Sequence, residues 1–341
     1  MRLICFGYFF GVHKLRRLLG WSKKLGPVER RFCDENQIPI QGMRTQDVFG
    51  LFGRYEQGPL MPQIHAMVIP KRKRFGNALL QLADAYNIAK KLGVKKIYHR
   101  GYTFLKDEAQ IDDVLLIKGI PSNAENYLIG DFYENNSLLN LCEHKLDRWQ
   151  IVHNMSEYIS LNVHSEQASD TSDVLYIHLR SGDIFKKMPP HRDYGQPPLA
   201  FYTKIIRHKN WRKVVLVFED RHNPVINALI DLLDQQNIEC QTFSGDIHQD
   251  VDVLLQAKHL VIARGTFIYP ILSLSQNAQE VFYFEIDEHS PWGLENSHIH
   301  FRKCVDVPGD YRRTILTRWE NDAEQNALML SYSENNISIG E

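Results

Sequence analysis

The sequence has no excess of charge of either sign. Its 40 Lys and Arg residues stand against 41 Asp and Glu residues, which gives a formal net charge of −1. Basic clusters are confined to residues 14–31 and 71–74. A chain with this balance has no overall field that would attract nucleic acid, so we expect no nucleic-acid partner.

The sequence also has few cysteines, and they are scattered. The cysteines are Cys5, Cys33, Cys142, Cys240 and Cys304, and no two of them form a Cys-x-x-Cys pair. Neither a zinc cluster nor a disulfide framework is indicated, and we expect no bound metal. A reducing, cytoplasmic setting is the simpler expectation.

A dinucleotide-binding fingerprint is missing as well. No Gly-x-Gly-x-x-Gly follows a predicted strand, which disfavours a Rossmann-type oxidoreductase. What is present is typical of a soluble globular protein, since 43% of the residues are hydrophobic and 24% are charged. The length of 341 residues suggests two domains.

The N-terminal end is short of the apolar length that a membrane-spanning helix needs. Residues 3–12 are largely apolar, but a helix of this length would not span a bilayer. Lys14, Arg16 and Arg17 follow this run, whereas a secretory signal carries its charges in front of it. Two interpretations stand: an interfacial helix in peripheral contact with a membrane, or a strand and a helix packed on the main body.

A strand, a basic loop and a helix follow one another from residue 64. Residues 64–70 predict the strand, 71–77 the loop, and 78–92 a helix with apolar residues at helical spacing. The helix start combines positive charge with free backbone N–H groups, which favours an anion near Gly76 and Asn77. The alternative is that Asn77 only caps the helix. The pattern continues with strands at 95–99, 113–118 and 126–132 and a long amphipathic helix at 137–161.

Another polar strand end lies within residues 173–185. Residues 174–177 predict a short buried strand, and His178, Arg180 and Asp183 come directly after it. Ligands of open α/β sheets bind beyond the carboxyl ends of the strands, so this strand end predicts an anion site. The alternative is a salt bridge and a turn that end the strand.

Strands and helices alternate through the rest of this half. The alternation predicts an α/β fold with a doubly wound parallel sheet and right-handed crossovers. The predicted strands are 214–218, 239–243, 259–263 and 281–286, and the predicted helices are 199–210, 224–236, 248–258 and 267–275.

The polar segment 165–173 predicts a linker between two domains. We expect a first Rossmann-like domain over 63–165, on the acceptor side, and a second, nucleotide-sugar-binding domain over 170–290. An irregular lead-in over 1–62 could pack on the first domain. A C-terminal extension over 291–341 could cross back onto the first half, and its last ten or so residues could be disordered.

Several segments together resemble the fucosyltransferase superfamily, whose members include the bacterial α-1,2-, the α-1,6- and the protein O-fucosyltransferases. His178-Leu-Arg-Ser-Gly-Asp183 resembles its His-x-Arg-x-Gly-Asp motif, and Arg74-Phe-Gly-Asn77 resembles its Arg-x-Gly-Asn motif. The motif order is closest to that of the bacterial α-1,2 branch. Residues 127–133 resemble its Gly-Tyr-Phe-Gln segment, 217–220 a Phe-Ser-Asp-Asp strand end, and 252–267 a late block that ends in Ser-Thr-Phe.

The resemblance implies a GT-B glycosyltransferase, with two Rossmann-like domains facing a cleft. It implies metal-independent, inverting transfer of fucose from GDP-fucose, a nucleotide-sugar donor, to a glycan acceptor, with no further cofactor. Carried over by motif, the catalytic residues would be Arg180, Asp183 and Asn77. Arg180 would hold the β-phosphate, His178 would support Arg180 or the nucleotide, Gly76 and Asn77 would approach the pyrophosphate and sugar, and Asp252, Thr266 and Phe267 would line the nucleotide pocket.

The chemistry of such a transfer agrees with these roles. Cleavage of the sugar–phosphate bond builds negative charge on the diphosphate, and the paired N–H donors of a guanidinium suit this charge better than an ammonium. Inversion calls for a general base near the acceptor hydroxyl, and Asp183 is the motif-matched candidate. Asp183 could instead hold the loop or Arg180. Asp131, Glu134 and Glu219 are the alternatives for the base.

Two departures from the family pattern bear on the donor. A second arginine often follows the first, and here Ser181 occupies that position. Arg264 and Gly265 replace the Asn-Ser that usually precedes the late Ser/Thr-Phe, and Arg264 could supply the second charge at the donor phosphates. Two alternatives therefore stay open: a GT-B glycosyltransferase that uses a different nucleotide sugar, or an inert nucleotide- or sugar-binding homologue.

Overall fold

The chain forms two units, each described here by itself. The computed structural model describes residues 30–31, 34–35, 50–52, 63–70, 73–122, 126–133, 139, 148–160, 171–186, 190, 192–285, 298–316 and 318–340. Of these, the second unit contains Arg74–Leu79, Thr103–Leu105 and the residues from 148 onward, and the first unit contains the others.

The first unit is built on a six-stranded sheet in the order β1-β6-β2-β3-β5-β4. Its central strands are apolar and buried, which is typical of parallel strands covered on both faces. Four strands are parallel: β2 (Ala66–Ile69), β3 (Lys96–His99), β5 (Val114–Lys118) and β6 (Tyr127–Ile129). The edge strands β1 (Gly50–Phe52) and β4 (Glu108–Ile111) are antiparallel to their neighbours.

Helix α1 (Phe75–Leu92) follows β2 and begins earlier than the predicted residue 78. Its end before Gly93, which has a φ of 69°, is as predicted. Because the helix begins at Phe75, Gly76 and Asn77 lie inside its first turn and not in a loop before it. The alternative of Asn77 as the helix cap is therefore wrong.

The second unit is built on a seven-stranded sheet in the order β13-β12-β11-β10-β7-β8-β9. Strand β7 (Val174–Leu179) is buried along its whole length and pairs in parallel with both of its neighbours. The other parallel strands are β8 (Lys213–Phe218), β9 (Glu239–Phe243), β10 (His259–Ile262), β11 (Glu280–Phe284) and β12 (His300–Asp306). Strand β13 (Ile337–Ile339) is antiparallel to β12.

Helices connect these strands where the periodicity predicts them. Asn223 accepts a hydrogen bond from the Val225 amide at the start of α5, and Asp246 forms a capping box with Gln249 at the start of α6. The helices of this unit are α2 (Arg148–Asn154), α3 (Asp183–Lys186), α4 (Leu199–Ile206), α5 (Pro224–Gln235), α6 (Ile247–Leu255), α7 (Ile268–Leu274) and α8 (Ala323–Ser331).

The described part of the C-terminal extension belongs to the second unit. Strands β12 and β13 lengthen the second sheet beyond β11, and residues 332–340 are ordered in the structure as a turn and a strand. Strand β12 escaped prediction because it is charged and half-exposed and lacks the apolar run of its neighbours. Trp319 is fully buried, and its indole N–H donates to the Ile184 carbonyl at 3.0 Å.

The helix predicted over 137–161 is shorter at its C-terminal end. Helix α2 ends at Asn154, a 3₁₀ turn follows at Ser156–Tyr158, and Ile159 pairs with Leu105 as an isolated β-bridge. That bridge requires extended backbone, which ends the helix. Most of the segment before α2, like residues 1–20, lies outside the described residues.

The prediction of an α/β fold with two Rossmann-like units, each on a mostly parallel sheet, is confirmed. Among the described residues, no helix combines the length and the apolar character needed to cross a membrane.

Candidate functional site

Arg180 stands at the carboxyl end of the buried strand β7. Its side chain is 19% exposed, and its guanidinium carbon Cζ lies over the Tyr194 ring, 4.8 Å from the ring centre. Within the described part of the chain, its N–H groups make no hydrogen bond, and the nearest carboxylate oxygen is Asp183 Oδ1 at 3.7 Å. A permanently charged group with little water and unused donors is expected to bind an anion.

Gly265 leaves the space that Arg180 occupies. Its φ is 145°, and a Cβ atom at this position would lie 2.4 Å from Arg180 Nη1. Any larger residue would displace the guanidinium. The glycine at position 265 therefore has a physical reason in this structure.

Two residues after β8 fix the loop that follows Arg180. Ser181 Oγ donates to Asp220 Oδ1 at 2.6 Å, and the Gly182 amide donates to the same oxygen at 3.2 Å. Asn223 Nδ2 donates to the Arg180 carbonyl at 3.0 Å. Gly182 has a φ of 69°, a conformation that glycine adopts without strain.

Asp220 keeps its charge in this position. Burial raises its pKa, but the Lys186 ammonium at 2.5 Å and hydrogen bonds from Ser181 and His222 outweigh burial and hold the pKa of Asp220 well below its usual range. The anchor of the loop is therefore a carboxylate at every pH at which the protein is expected to work.

His178 is a buried, neutral histidine. Burial, with a further contribution from the charge of Arg180, lowers the pKa of His178 to about 3. Its ring stacks on Phe267 with 5.1 Å between ring centres, and its Nδ1 has no hydrogen-bond partner among the described residues. An unpaired buried nitrogen of this kind is uncommon and favours a role in ligand binding.

The first turn of α1 packs on the residues that follow β10. A Cβ atom on Gly76 would lie 2.1 Å from the Thr266 carbonyl oxygen, so only glycine permits this approach. Thr266 Oγ1 donates a short hydrogen bond to Asn77 Oδ1. The Phe75 and Phe267 rings are 5.6 Å apart between their centres. The structure thus brings together the early and the late motif residues, Gly76, Asn77, Thr266 and Phe267.

Asp183 lies between two arginines in the same unit. Its Oδ1 is 3.2 Å from Arg74 Nη1 and 3.7 Å from Arg180 Nη2, and its side chain is 46% exposed. Arg74 Nη1 also lies 3.8 Å from Glu219 Oε2. Arg74 was not among the predicted site residues, although it opens the Arg-x-Gly-Asn motif.

The remaining two predicted residues, Arg264 and Asp252, lie after β10 and on α6. Arg264 Nη1 donates to the Leu316 carbonyl at 2.6 Å, in the C-terminal extension. Asp252 lies on α6, and no hydrogen bond or ion pair joins it to the other predicted residues within the described ranges. Its Oδ1 is buried and has no partner among them.

Of the alternatives for the base, Glu219 lies beside Arg74 in this cluster, and the other two are in the first unit or outside the described residues. Asp131 is buried in the first unit, where it pairs with Lys73 Nζ at 3.1 Å and accepts from Gln81 Nε2 at 2.7 Å. Glu134 is not among the described residues. In the described ranges, no group of three or more His, Cys, Asp or Glu side chains is placed to hold a metal ion.

Sequence reasoning missed the residues that hold Arg180 in place. Tyr194 ends a short 3₁₀ turn (Arg192–Tyr194) whose sequence has no helix or strand periodicity, so nothing local marks it as a partner of Arg180. The contact of Gly265 with Arg180 is also a tertiary feature, because the two residues follow different strands. The polar residues after β8 were a usable signal for Asp220, since the family pattern places acidic residues there.

Comparisons with known proteins give no family assignment from sequence, since neither a protein-family model nor a curated protein matches. Solved structures are similar at low identity. The fucosyltransferase NodZ from Bradyrhizobium is 11% identical over 66% of this chain and 96% of its own, with a TM-score of 0.38. A variant of Arabidopsis thaliana FUT1 in complex with GDP is 12% identical over 77% of each chain, with a TM-score of 0.40.

The heptosyltransferase TibC, in complex with ADP-D-β-D-heptose, is 10% identical over 68% of this chain and 63% of its own, with a TM-score of 0.42. At TM-scores of 0.38 to 0.42, these similarities do not by themselves establish an activity.

Proposed function

We propose that the protein is an inverting glycosyltransferase that transfers fucose from GDP-fucose to a glycan acceptor. The observation that carries this proposal is Arg180, a largely buried guanidinium without a hydrogen bond in the described part of the chain. It stands at the carboxyl end of β7, the edge at which α/β sheets bind ligands. A diphosphate has the charge and the paired oxygens that such a group binds best.

In this proposal Arg180 stabilises the leaving diphosphate. Negative charge grows on the β-phosphate as the sugar–phosphate bond breaks, and a fixed guanidinium stabilises that charge without having to reorganise. Tyr194 and Gly265 help to hold Arg180 in place, the first through a cation–π contact and the second by leaving room. The weak solvent exposure of Arg180 strengthens the interaction, because less water screens it.

The first turn of α1 is the proposed second side of the diphosphate site. The leading amides of a helix have no carbonyl partner within the helix, so they are free to bind an anion. Gly76 brings this turn against Thr266, and Asn77 is hydrogen-bonded to the Thr266 hydroxyl. We assign Gly76 and Asn77 to the pyrophosphate and the sugar.

The nucleoside is assigned to the residues around Phe267. His178 and Phe267 form a stacked pair, and the neutral His178 ring does not compete with Arg180 for the phosphate. Asp252 Oδ1 is buried without a partner among the described residues, the condition of an acceptor that awaits a donor from a ligand. Arg264 is assigned to the edge of the same pocket, where Leu316 holds it.

Asp183 is the proposed general base. The acceptor hydroxyl oxygen attacks the anomeric carbon, its proton passes to the Asp183 carboxylate, and the electron pair of the broken bond stays with the diphosphate. Since the Asp183 side chain is 46% exposed, an acceptor can reach it. Arg180 takes the part that a metal ion would otherwise play, so the reaction is proposed to proceed without one.

Isothermal titration of the full chain with GDP, UDP and CDP tests this function. Each titration is made with and without EDTA, on the wild type and on Arg180→Ala, Arg180→Lys and Arg212→Ala. Arg212 is the matched control, because it is an arginine directly before β8 that pairs with Asp173 at the opposite end of the strands.

We expect selective GDP binding that survives EDTA. It should fall at least about a hundredfold in Arg180→Ala, recover only in part in Arg180→Lys, and stay unchanged in Arg212→Ala. Selective UDP or CDP binding would replace GDP-fucose by another donor. Absence of binding to all three nucleotides would overturn the proposed activity and favour an inert homologue.

A further inference from the structure

We propose that Arg74 is a second diphosphate-binding residue, and that Asp183 is the counter-ion that holds Arg74 and Arg180 while the site is empty. This inference rests on the proposed function, because it names the second cation of the same donor site. It also accounts for the charge that is missing where Ser181 replaces the second arginine of the family motif.

Both guanidinium groups approach one atom. Asp183 Oδ1 lies 3.2 Å from Arg74 Nη1 and 3.7 Å from Arg180 Nη2. A carboxylate oxygen between two guanidinium groups occupies the position at which an oxygen of a bound phosphate would gain most. The Asp183 oxygen therefore marks where the terminal phosphate of a diphosphate would bind.

The charges around this position favour an exchange of partners. Arg74 and Arg180 are balanced by Asp183 and by Glu219, which lies 3.8 Å from Arg74. A diphosphate adds at least two negative charges, which two adjacent carboxylates would repel. Arg74 is 66% exposed, and ion pairs at exposed positions are weak, so a phosphate with more charge and more acceptor oxygens displaces them.

The backbone of Arg74 is fixed in the second unit. The Arg74 carbonyl accepts the Ala78 amide at 2.7 Å, which makes Arg74 the residue directly before α1. The Phe75 ring packs against Phe104 at 5.0 Å and against Phe267 at 5.6 Å between centres. A fixed backbone with an exposed guanidinium lets the side chain change partner without any movement of the helix.

The other candidate for the second cation is Arg264, which already has a partner. Arg264 Nη1 donates to the Leu316 carbonyl. Ser181, at the position of the second family arginine, donates to Asp220 and accepts from the Asn223 amide. Arg74 is the arginine that shares a carboxylate oxygen with Arg180. Its transfer to a phosphate would also release Asp183 Oδ1, in keeping with the proposed use of Asp183 as the base.

Titration of the full chain with GDP and with GMP tests the inference. If the wild type binds another nucleoside diphosphate, that nucleotide and its monophosphate are used instead of GDP and GMP. The variants are Arg74→Gln, Arg74→Lys and Asp183→Asn, with Arg212→Gln as the matched control at the opposite end of the strands. Thermal unfolding of each variant reports whether the fold is kept.

We expect Arg74→Gln to weaken GDP binding about tenfold while GMP binding stays within about twofold, because only the terminal phosphate is lost as a partner. Arg74→Lys should recover part of the loss. Asp183→Asn should tighten GDP binding about threefold or more, because it removes the competing carboxylate. Arg212→Gln should change neither affinity.

Three results would overturn the inference: unchanged GDP binding in Arg74→Gln, equal losses for GDP and GMP, or weaker GDP binding in Asp183→Asn. Each of these leaves the proposed function standing, provided that the wild type binds GDP and Arg180→Ala does not. If the wild type binds none of the nucleotides, the proposed function itself fails and this inference fails with it.

Discussion

Glu280 and Arg180 are largely buried charged residues at opposite ends of the strands of the second sheet, with side chains 8% and 19% exposed. We call the side of the sheet where its parallel strands begin the amino edge, and the side where they end the carboxyl edge. Glu280, at the start of β11, accepts from Lys209 at 2.6 Å and Arg302 at 2.6 Å and lies 2.9 Å from His259 Nδ1. Arg180, at the end of β7, makes no hydrogen bond through its guanidinium in the described part of the chain.

The difference separates charge used for stability from charge kept for a ligand. At the amino edge, the cost of removing Glu280 from water is offset within the protein by three partners. At the carboxyl edge, the corresponding cost for Arg180 is offset only by the Tyr194 ring and a distant carboxylate, until an anion binds. Substitutions at the amino edge should therefore change stability, and those at the carboxyl edge should change binding.

The largest expected effect is on stability, at Glu280. Burial raises its pKa, but hydrogen bonds from Lys209 and Arg302 outweigh burial and lower the pKa of Glu280 to about 2. Because the folded-state pKa is below the unfolded value of about 4.5, this stabilisation is complete above pH 4.5 and is lost as the pH falls through 2. Glu280→Gln should cost about 3 kcal/mol, since it leaves two cations unpaired.

Urea unfolding of Glu280→Gln and the wild type at neutral pH measures this cost. Nucleotide titration on the same samples should show no change in affinity. A variant with wild-type stability, or with much weaker nucleotide binding, would remove the distinction between the two edges.

The next largest expected effect is a loss of stability in acid that is due to His178. Its pKa of about 3 in the folded protein lies below the unfolded value of 6.5, so the unfolded chain binds more protons below pH 6.5. Stability should therefore fall by about 2 kcal/mol between pH 6.5 and about 5 on account of His178. The stabilisation from Glu280 is lost only below pH 4.5, so the effect of His178 on the free energy of unfolding should come first as the pH falls.

Unfolding of His178→Gln at a series of pH values checks this. The fall in stability between pH 6.5 and about 5 should be smaller than in the wild type by about 2 kcal/mol. His99→Gln is the comparison in the first unit, because burial, with the charge of Lys118 adding to it, lowers the pKa of His99 to about 4. If the pH dependence of stability were the same in His178→Gln and in the wild type, this prediction for His178 would be wrong.

The smallest expected effect is at the loop anchor. Asp220→Asn removes the charge that Lys186 and Ser181 bind, so the loop carrying Arg180 should become less fixed and nucleotide affinity should fall about fivefold, or about 1 kcal/mol. Asp173→Asn is the control, because Asp173 and Arg212 form an exposed pair at the amino edge, worth about 0–1 kcal/mol. Equal effects of the two variants on nucleotide binding would argue against a special role for Asp220.

Much of the second sheet could be predicted from local pattern alone. Strands β7, β8 and β10 are apolar runs that are buried on both faces of the sheet. The pair Asn223-Pro224 is by itself a signal for the start of a helix. The predictions failed where packing overrode the pattern. Helix α1 begins at Phe75 because Gly76 can pack on Thr266, a residue far along the chain.

The candidate site was likewise only partly predictable from the sequence. The motifs pointed to Arg180, Asp183, Gly76 and Asn77. The structure places Gly76 and Asn77 against Thr266, and Asp183 beside Arg180. Tyr194 and the partnership of Arg74 with Asp183 had no local signal. These contacts join residues from different strands and loops, and no periodicity or spacing encodes them.

By itself, the sequence determined the α/β class and the strand ends at which charged residues emerge, because apolar periodicity and strand-end polarity are properties of neighbouring residues. Only the tertiary structure decided which of those charges are paired. Glu280, with three partners, and Arg180, with an aromatic ring beside it and a distant carboxylate, differ in what the fold brings beside them. The free energy of a buried charge depends on those partners, and therefore on the fold as a whole.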